Sequence, residues 1–232
     1  MNKTILKAEN ISKSYSMDGK ADTEVLKDLS IEIMKGETVS LVGPSGVGKS
    51  TLLHLLGTLD EPDSGRILHY DNGSEIELNK LTRNQTADFR NRHIGFVFQF
   101  HHLLVEFNAL ENVMMPALIA GLSNSKAADK ARQLIELVGL TNRADHKPGQ
   151  LSGGEQQRIA IARALINEPG IVFADEPTGN LDGKNSKAVL ALISDLRQRF
   201  NITFVVATHN EEIATSTDRV LVMGEGRILG ER

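Results

Sequence analysis

Apolar residues recur along this chain with two different periods, and the switches between them lay out its elements. Leu29, Ile31 and Ile33 alternate with polar residues, the period of two expected of a half-buried strand. Lys35-Gly36-Glu37 predicts a turn, and Thr38 to Val42 predicts a short apolar strand after it. Leu52, Leu53, Leu55 and Leu56 then give residues 49 to 56 the apolar face of a helix. Arg66 to Tyr70 and Ser74 to Leu78 flank Asp71-Asn72-Gly73, which is hairpin-turn chemistry, so a small antiparallel β subdomain is expected near the N-terminus. The stretch from about Ala109 to Leu140 reads as helical: Ala131, Leu134, Ile135 and Val138 follow helical spacing, and Gly139 supplies a stop. Gly153 to Asn167 predicts another helix and Ile171 to Ala174 a buried strand. Ser186 to Arg199 is amphipathic, with Val189, Leu190, Ile193 and Leu196 on one side, and Ile202 to Ala207 is a further buried strand. Strands alternating with helices in this way imply a parallel sheet with crossover helices. No repeat, low-complexity tract or long linker interrupts the pattern.

Three local patterns add chemistry to this frame. Gly43-Pro44-Ser45-Gly46-Val47-Gly48-Lys49-Ser50 has the spacing G-x-x-x-x-G-K-S and lies between a predicted strand and a predicted helix. Glycines there let successive backbone N–H groups turn toward phosphate oxygens, and the helix presents its positive end to the anion. Lys49 is expected to reach the β and γ phosphates of a nucleoside triphosphate, and Ser50 to ligate Mg²⁺. The predicted strand Ile171 to Ala174 ends in Asp175-Glu176. Alone, this is as readily a surface acidic pair. Beside a phosphate loop, Asp175 is expected to hold Mg²⁺ through water and Glu176 to act as general base on the attacking water. Leu151-Ser152-Gly153-Gly154-Glu155 is a second glycine-rich turn opening a helix, and so a second anion site. Two such sites for one nucleotide make sense when the second serves a neighbouring molecule.

Composition narrows the class. The chain has 232 residues, 40% of them hydrophobic, enough for one large domain or a domain with a subdomain. A net charge of −4 with no basic stripe speaks against nucleic acid as a partner. There are no cysteines, which excludes disulfides and thiolate metal sites. Met1-Asn2-Lys3-Thr4 leads into a charged stretch rather than a signal core, and no apolar run approaches the roughly 20 residues that cross a bilayer. Any membrane role is therefore expected to come through a partner.

On these motifs the chain resembles the ATPase subunit of ATP-binding-cassette (ABC) transporters, over essentially its whole length. The resemblance implies an α/β fold: a P-loop NTPase cassette with a mainly parallel core sheet, an antiparallel β subdomain and an α-helical signature subdomain. In this division residues 1–98 and 168–232 form the core with the β subdomain, and residues 99–167 the helical subdomain. Thr51 joins the phosphate loop, Gly43 through Ser50, as an ATP-binding residue, and Ser152, Gly153 and Gly154 form the signature. Glu155 takes a place where the family usually has glutamine. Gln99 matches the family's glutamine that ligates Mg²⁺ and senses conformation, and Asp182, in Asn180-Leu181-Asp182, matches the loop crossing the dimer interface. His209 matches the histidine that contacts the γ phosphate, and Tyr15 the aromatic residue that stacks on adenine. Each has a plainer reading by itself: Tyr15 as packing, His209 as a cap, Gln99 as a strand-end amide. Their joint order is what is specific. The resemblance further implies two chains arranged head to tail with two ATP molecules between them, each phosphate loop facing the other chain's Ser152 and Gly154.

The segment Phe100-His101-His102-Leu103-Leu104-Val105-Glu106-Phe107-Asn108-Ala109-Leu110-Glu111-Asn112-Val113 stands where the family grips its membrane subunits. Its apolar residues read either as core of the helical subdomain or as a docking groove for a partner helix. Together with His54-Leu55-Leu56-Gly57 and the segment from Ala174 to Asp182, it looks like the branch that includes lipoprotein-releasing, macrolide-export and cell-division ATPases, and most like the first. Val105 departs from the proline expected there. The implied function is ATP-driven lipoprotein release from the cytoplasmic face of an inner membrane, through integral membrane subunits. Macrolide or peptide export is the alternative. A soluble ABC ATPase of translation or repair fits less well: there is one cassette and no sustained heptad pattern between the phosphate loop and the signature. The chain ends soon after Arg227-Ile228-Leu229, an ending at odds with the sugar-importer ATPases, which usually carry an appended domain.

Overall fold

The structure, a computed structural model, describes residues 3–16, 23–71, 73–210 and 214–232; Asn72 of the expected hairpin turn lies outside the described residues. The chain opens with strands β1 (Thr4–Tyr15), β2 (Thr23–Met34) and β3 (Thr38–Val42), helix α1 (Lys49–Leu56), strands β4 (Ser64–Asp71) and β5 (Ser74–Glu77), and helix α2 (Arg83–His93). Next come β6 (Ile94–Val97), α3 (Ala109–Ile119), α4 (Asn124–Leu137), α5 (Gly153–Leu165), β7 (Ile171–Asp175) and α6 (Gly183–Phe200). Strands β8 (Thr203–Ala207), β9 (Arg219–Gly224) and β10 (Arg227–Glu231) follow. These elements form two compact units, residues 1–87 with 203–232 and residues 88–202.

In the first unit an antiparallel sheet runs in the order β2-β1-β4-β5. The alternation at Leu29, Ile31 and Ile33 turns all three inward, where they are buried with Leu6, Ala8 and Ile11 of β1. The same unit holds β10, β9, β3 and β8 side by side. Here β3 is parallel to both β8 and β9, and β10 is antiparallel to β9. Every residue of β3 and β8 is buried, including the hydroxyl residues Thr38, Ser40 and Thr203, which is why neither alternates apolar with charged positions: a parallel strand covered on both faces has no solvent side.

In the second unit β6 and β7 are parallel, and α3, α4 and α5 share one core. That core is rich in alanine: Ala109 and Ala117 from α3, Ala127 and Ala131 from α4, and Ala162 from α5. Small side chains let these helices approach closely, while Val113, Ile135 and Ile159 supply the bulk, each worth roughly 1.5–3 kcal/mol when fully buried. The helical reading of residues 109 to 140 becomes two helices. Gly121 adopts φ 90°, its N–H donates to Leu118 O at 3.0 Å, and the Leu122 N–H donates to Ala117 O at 3.0 Å, a left-handed C-terminal cap that ends α3. The break lets both apolar faces fold into one core, which a single straight helix cannot do.

Helix α2 has no counterpart in the periodicity, because it buries only Phe89 and has no apolar stripe. Its signal is the reciprocal cap ahead of it: Thr82 N donates to Gln85 Oε1 at 2.9 Å, and Gln85 N to Thr82 Oγ1 at 3.5 Å.

Candidate functional site

In the first unit β3 ends at Val42 and the chain turns through Gly43 to Gly48 into α1. Gly48, at the N-cap of α1, has φ 102°. A Cβ there would lie 2.8 Å from Leu26 Cδ2 and 3.1 Å from Val25 O, so this turn needs glycine both for its backbone angle and for its closeness to β2. At Gly43 a Cβ would come within 2.4 Å of Met223 O. No side chain caps α1, which leaves the N–H groups of its first turn for an anion. Lys49 is buried and folds back on the loop: its Nζ donates to Gly43 O at 2.8 Å and Pro44 O at 3.0 Å. Pro44, Ser45, Gly46 and Ser50 are exposed around that ammonium, with Val47 and Thr51 half-buried.

Register brings His209 to the same end of the sheet. Leu41 of β3 faces Ala207 of β8, and Thr208 N donates to Leu41 O at 3.0 Å, so exposed His209 leaves where Gly43 leaves. Tyr15 ends β1 with 38% of its surface open. Its hydroxyl donates to Asp60 Oδ2 at 2.7 Å, and Lys13 Nζ stands 5.3 Å from its ring centroid while donating to Asp60 Oδ1 at 2.9 Å. Burial, then the Asp60 carboxylate, push the phenol up from its ordinary value, and the Thr51 hydroxyl lies against it. Tyr15 is thus held at its hydroxyl with part of its ring open. Asp60 and Lys13 carry no motif, and only the fold reveals their part.

In the second unit Val97 of β6 pairs with Ala174 of β7, so Gln99 and Asp175-Glu176 leave at one end of this strand pair. Asn180 Nδ2 donates to Gln99 O at 3.1 Å, and Gly179 packs beside the Gln99 amide. Glu176 adopts φ 44°, a left-handed conformation that costs a non-glycine residue on the order of 1–3 kcal/mol and is concentrated at functional sites. The turn that follows is closed by Gly179 N donating to Glu176 O at 3.0 Å. Among the described residues no three His, Cys, Asp or Glu side chains cluster as a metal cage. Within this unit Gln99 and Asp175 offer oxygen donors, the ligand type that a hard cation such as Mg²⁺ takes.

The signature opens α5 with Ser152 as N-cap. Ser152 N and Oγ donate to Glu155 Oε2 at 2.8 and 2.9 Å, and Glu155 N donates back to Ser152 Oγ at 3.4 Å. Glu155 Oε1 accepts from Arg143 Nε at 2.9 Å. Gly154 is packed against α6: a Cβ there would lie 2.7 Å from Asn185 Oδ1. Asp182 caps α6 by accepting from Asn185 N at 2.9 Å and Asn185 Nδ2 at 2.7 Å, bonds that hold its carboxyl below the ordinary range. The structure therefore gathers Gly153, Gly154 and Asp182 around Leu181 and Asn185, with Ser152 opening the same helix.

The Ser152 N–H, then Arg143, lower Glu155 from an ordinary 4.5 to about 2. A carboxyl lowered in the fold adds stability above its unfolded value and loses it as pH falls through the folded one. The difference in urea midpoint between the native chain and Glu155→Gln is therefore expected to shrink as pH falls from 5 toward about 2, in fluorescence-monitored unfolding. A pH-independent difference would show that the carboxylate charge contributes nothing to the cap.

The run after Gln99 divides. Leu103 packs on the helical core, whereas Phe100 (65%), Leu104 (41%), Val105 (66%) and Phe107 (36%) remain exposed. Buried Asn112 holds this loop: its Oδ1 accepts from Leu104 N at 2.7 Å, and its Nδ2 donates to Leu104 O, Phe107 O and Asn108 O at 2.9–3.1 Å. Arg163 of α5 donates to His101 O at 2.8 Å and His102 O at 2.7 Å, tying the loop to the signature helix.

Comparison with known proteins gives one consistent result. Residues 26–179 match the family model described as ABC transporter. The lipoprotein-releasing system ATP-binding protein LolD of Bacteroides fragilis is 50% identical over 221 residues, covering 95% of this chain and 98% of that protein. Its counterpart in Legionella pneumophila (strain Paris) is 50% identical over 228 residues, covering 98% of each. Among solved structures, the dimeric ATP-binding cassette MJ0796 in a post-hydrolysis state bound to ADP and Pi superposes with a TM-score of 0.89 at 38% identity, over 98% of each chain. The cbiO1 protein of Clostridium perfringens, part of the cbiONQ transporter complex, gives 0.85 at 31% identity, covering 100% of this chain and 88% of that one.

Proposed function

The chain belongs to the ABC transporter family as an ATP-hydrolysing subunit, and from that membership we propose that it powers release of lipoproteins from an inner membrane. The structural observation that carries the reading is the phosphate loop: an uncapped helix end with Lys49 folded over its carbonyls. The cargo follows from the likeness, along nearly the whole chain, to proteins named for lipoprotein release.

In this reading adenine stacks on Tyr15, and the phosphates lie on the backbone N–H groups from Ser45 to Thr51. Lys49 exchanges its loop carbonyls for β and γ phosphate oxygens. Ser50, Gln99 and Asp175 are the oxygen donors to Mg²⁺, which when bound neutralises phosphate charge. Glu176 takes a proton from water as the water oxygen bonds to the γ phosphorus and the bond to the β-phosphate oxygen breaks. His209 contacts the γ phosphate. Ser152, Gly153 and Gly154 of a second copy face that nucleotide, with Asp182 in the loop crossing between the copies. ATP then joins two chains in an isologous dimer, and hydrolysis lets it open. Residues 99–167 form the segment that joins the docking surface to the signature, with residues 1–98 and 168–232 as the nucleotide-binding core.

Dimer geometry makes a direct prediction. In a mixed dimer of native and Ser152→Arg chains, the arginine is expected to suppress hydrolysis at the opposite phosphate loop, measured by phosphate release with one loop disabled at a time. Equal rates at both loops would refute the sandwich.

No helix among the described residues is long and apolar enough to cross a membrane. We place the chain on the cytoplasmic face, held by integral membrane subunits at the exposed Phe100, Leu104, Val105 and Phe107. Affinity capture from solubilised native membranes with the Glu176→Gln chain, ATP and Mg²⁺ is expected to recover lipoprotein-releasing membrane subunits. A Phe100→Asp, Val105→Asp double variant is expected to lose them by at least about tenfold, since charges at a docking groove cost at least 1.4 kcal/mol, and to keep its own hydrolysis. Recovery of drug-export or cell-division subunits instead would overturn the cargo and keep the mechanism. Recovery of ribosomes or repair proteins would overturn the transporter role.

A further inference from the structure

The signature cap carries a charge problem. Glu155 places a full negative charge in the first turn of α5, at the helix end whose N–H groups and Ser152 hydroxyl are proposed to face a phosphate. A glutamine there would cap the helix equally well without repelling an anion. The fold answers with Arg143, which arrives from the turn at Thr141–Arg143, ahead of the signature. Its Nε donates to Glu155 Oε1 at 2.9 Å, while Oε2 is engaged by Ser152 N and Oγ. Arg143 Nη1 lies 3.4 Å from His146 Nε2, a contact that helps to fix the guanidinium. The Glu155 side chain is only 17% exposed and Arg143 45%, so water screens the pair incompletely.

We propose that Arg143 is a positioning residue for ATP hydrolysis: it neutralises Glu155 and holds its carboxylate at the Ser152 N–H, so that the Ser152 hydroxyl can turn its proton from Glu155 Oε2 to the γ phosphate of an ATP held by a second copy. This rests on the sandwich dimer proposed above. Without Arg143 the carboxylate is left in front of the anion site with a free oxygen. The repulsion reaches a phosphate that never touches Arg143.

The test is steady-state hydrolysis by the full chain, as kcat/KM for ATP against salt concentration. Arg143→Ala is expected to lower kcat/KM on the order of tenfold at low salt, the effect of one uncompensated charge close to a phosphate, and to recover partly as salt screens it. Arg143→Lys, which keeps the charge, is expected to stay within about threefold of the native chain, since a lysine still pairs with a carboxylate. The decisive variant is Arg143→Ala with Glu155→Gln, which removes both charges and is expected to restore most of the lost activity. An Arg143→Ala chain with native kinetics overturns the proposal. So does a defect that Glu155→Gln leaves unrepaired, because arginine would then act only through packing. If Arg143→Ala fails to fold, comparing Arg143→Gln with Arg143→Lys decides the same question: equal kinetics overturn the proposal. Failure of the sandwich itself is distinguishable, because it leaves Ser152→Arg without effect across the dimer, whereas failure of the Arg143 proposal leaves that effect intact.

Discussion

Replacing Glu176 with glutamine is expected to stop turnover while ATP stays bound. The substitution keeps the side chain's shape and removes its basicity, and a positioned general base is worth roughly 10²–10⁴ in rate. The fold has a stake in this position, because Glu176 sits at φ 44° and its carbonyl accepts from Gly179 N at 3.0 Å. Glutamine leaves that turn unchanged, so a loss of rate reports chemistry and not collapse. The expected result is a phosphate-release rate down by at least about a hundredfold, with an ATP affinity equal to or tighter than that of the native chain. A rate within about threefold of native would remove Glu176 from the base role.

Lys49→Ala is expected to have the opposite signature, a loss of binding itself. Lys49 is 8% exposed, and its ammonium already satisfies two loop carbonyls, Gly43 O and Pro44 O. Truncation removes the cation nearest the phosphates and leaves those carbonyls without their donor. Hydrogen bonds to charged groups contribute about 1.5–3 kcal/mol each, so losing the two that Lys49 would make to the β and γ phosphates weakens ATP binding by at least about a hundredfold. Titration calorimetry with ATP and Mg²⁺ measures this directly. Affinity within a few-fold of native would mean that Lys49 serves the loop and not the nucleotide. Taken as a pair, the two variants separate the steps: one chain binds and does not turn over, the other does not bind.

Which features could be read from the residues follows from the range of the interactions behind them. Strand β3, helix α1 and strand β7 are defined by neighbours a few positions apart, and their limits match or nearly match the apolar runs. The break between α3 and α4 was a local signal too, at Gly121, but the apolar spacing on either side concealed it. Helix α2 escaped because a helix that buries only Phe89 has no stripe to detect. The supporting residues around the site escaped for another reason. Tyr15 finds Asp60 across 45 positions, and Arg163 finds His101 across 62. No local period carries such pairings.

The sequence by itself determined the chemical inventory. Glycine, lysine and serine at fixed spacing make a phosphate loop wherever a strand precedes and a helix follows, because backbone geometry over eight residues is a local property. It also determined the family, since the motifs occur in order along one chain. Tertiary structure decided which strands run side by side, and so that Gly43 and His209 leave at one end of the β3–β8 pair, and Gln99 and Glu176 at one end of the β6–β7 pair. It decided which apolar residues of the run after Gln99 stay in water, with Asn112 holding four hydrogen bonds to the loop. It set the strained backbone of Glu176 and the partner of Glu155. These depend on contacts between distant segments, whose free energy is gained only when the whole core closes.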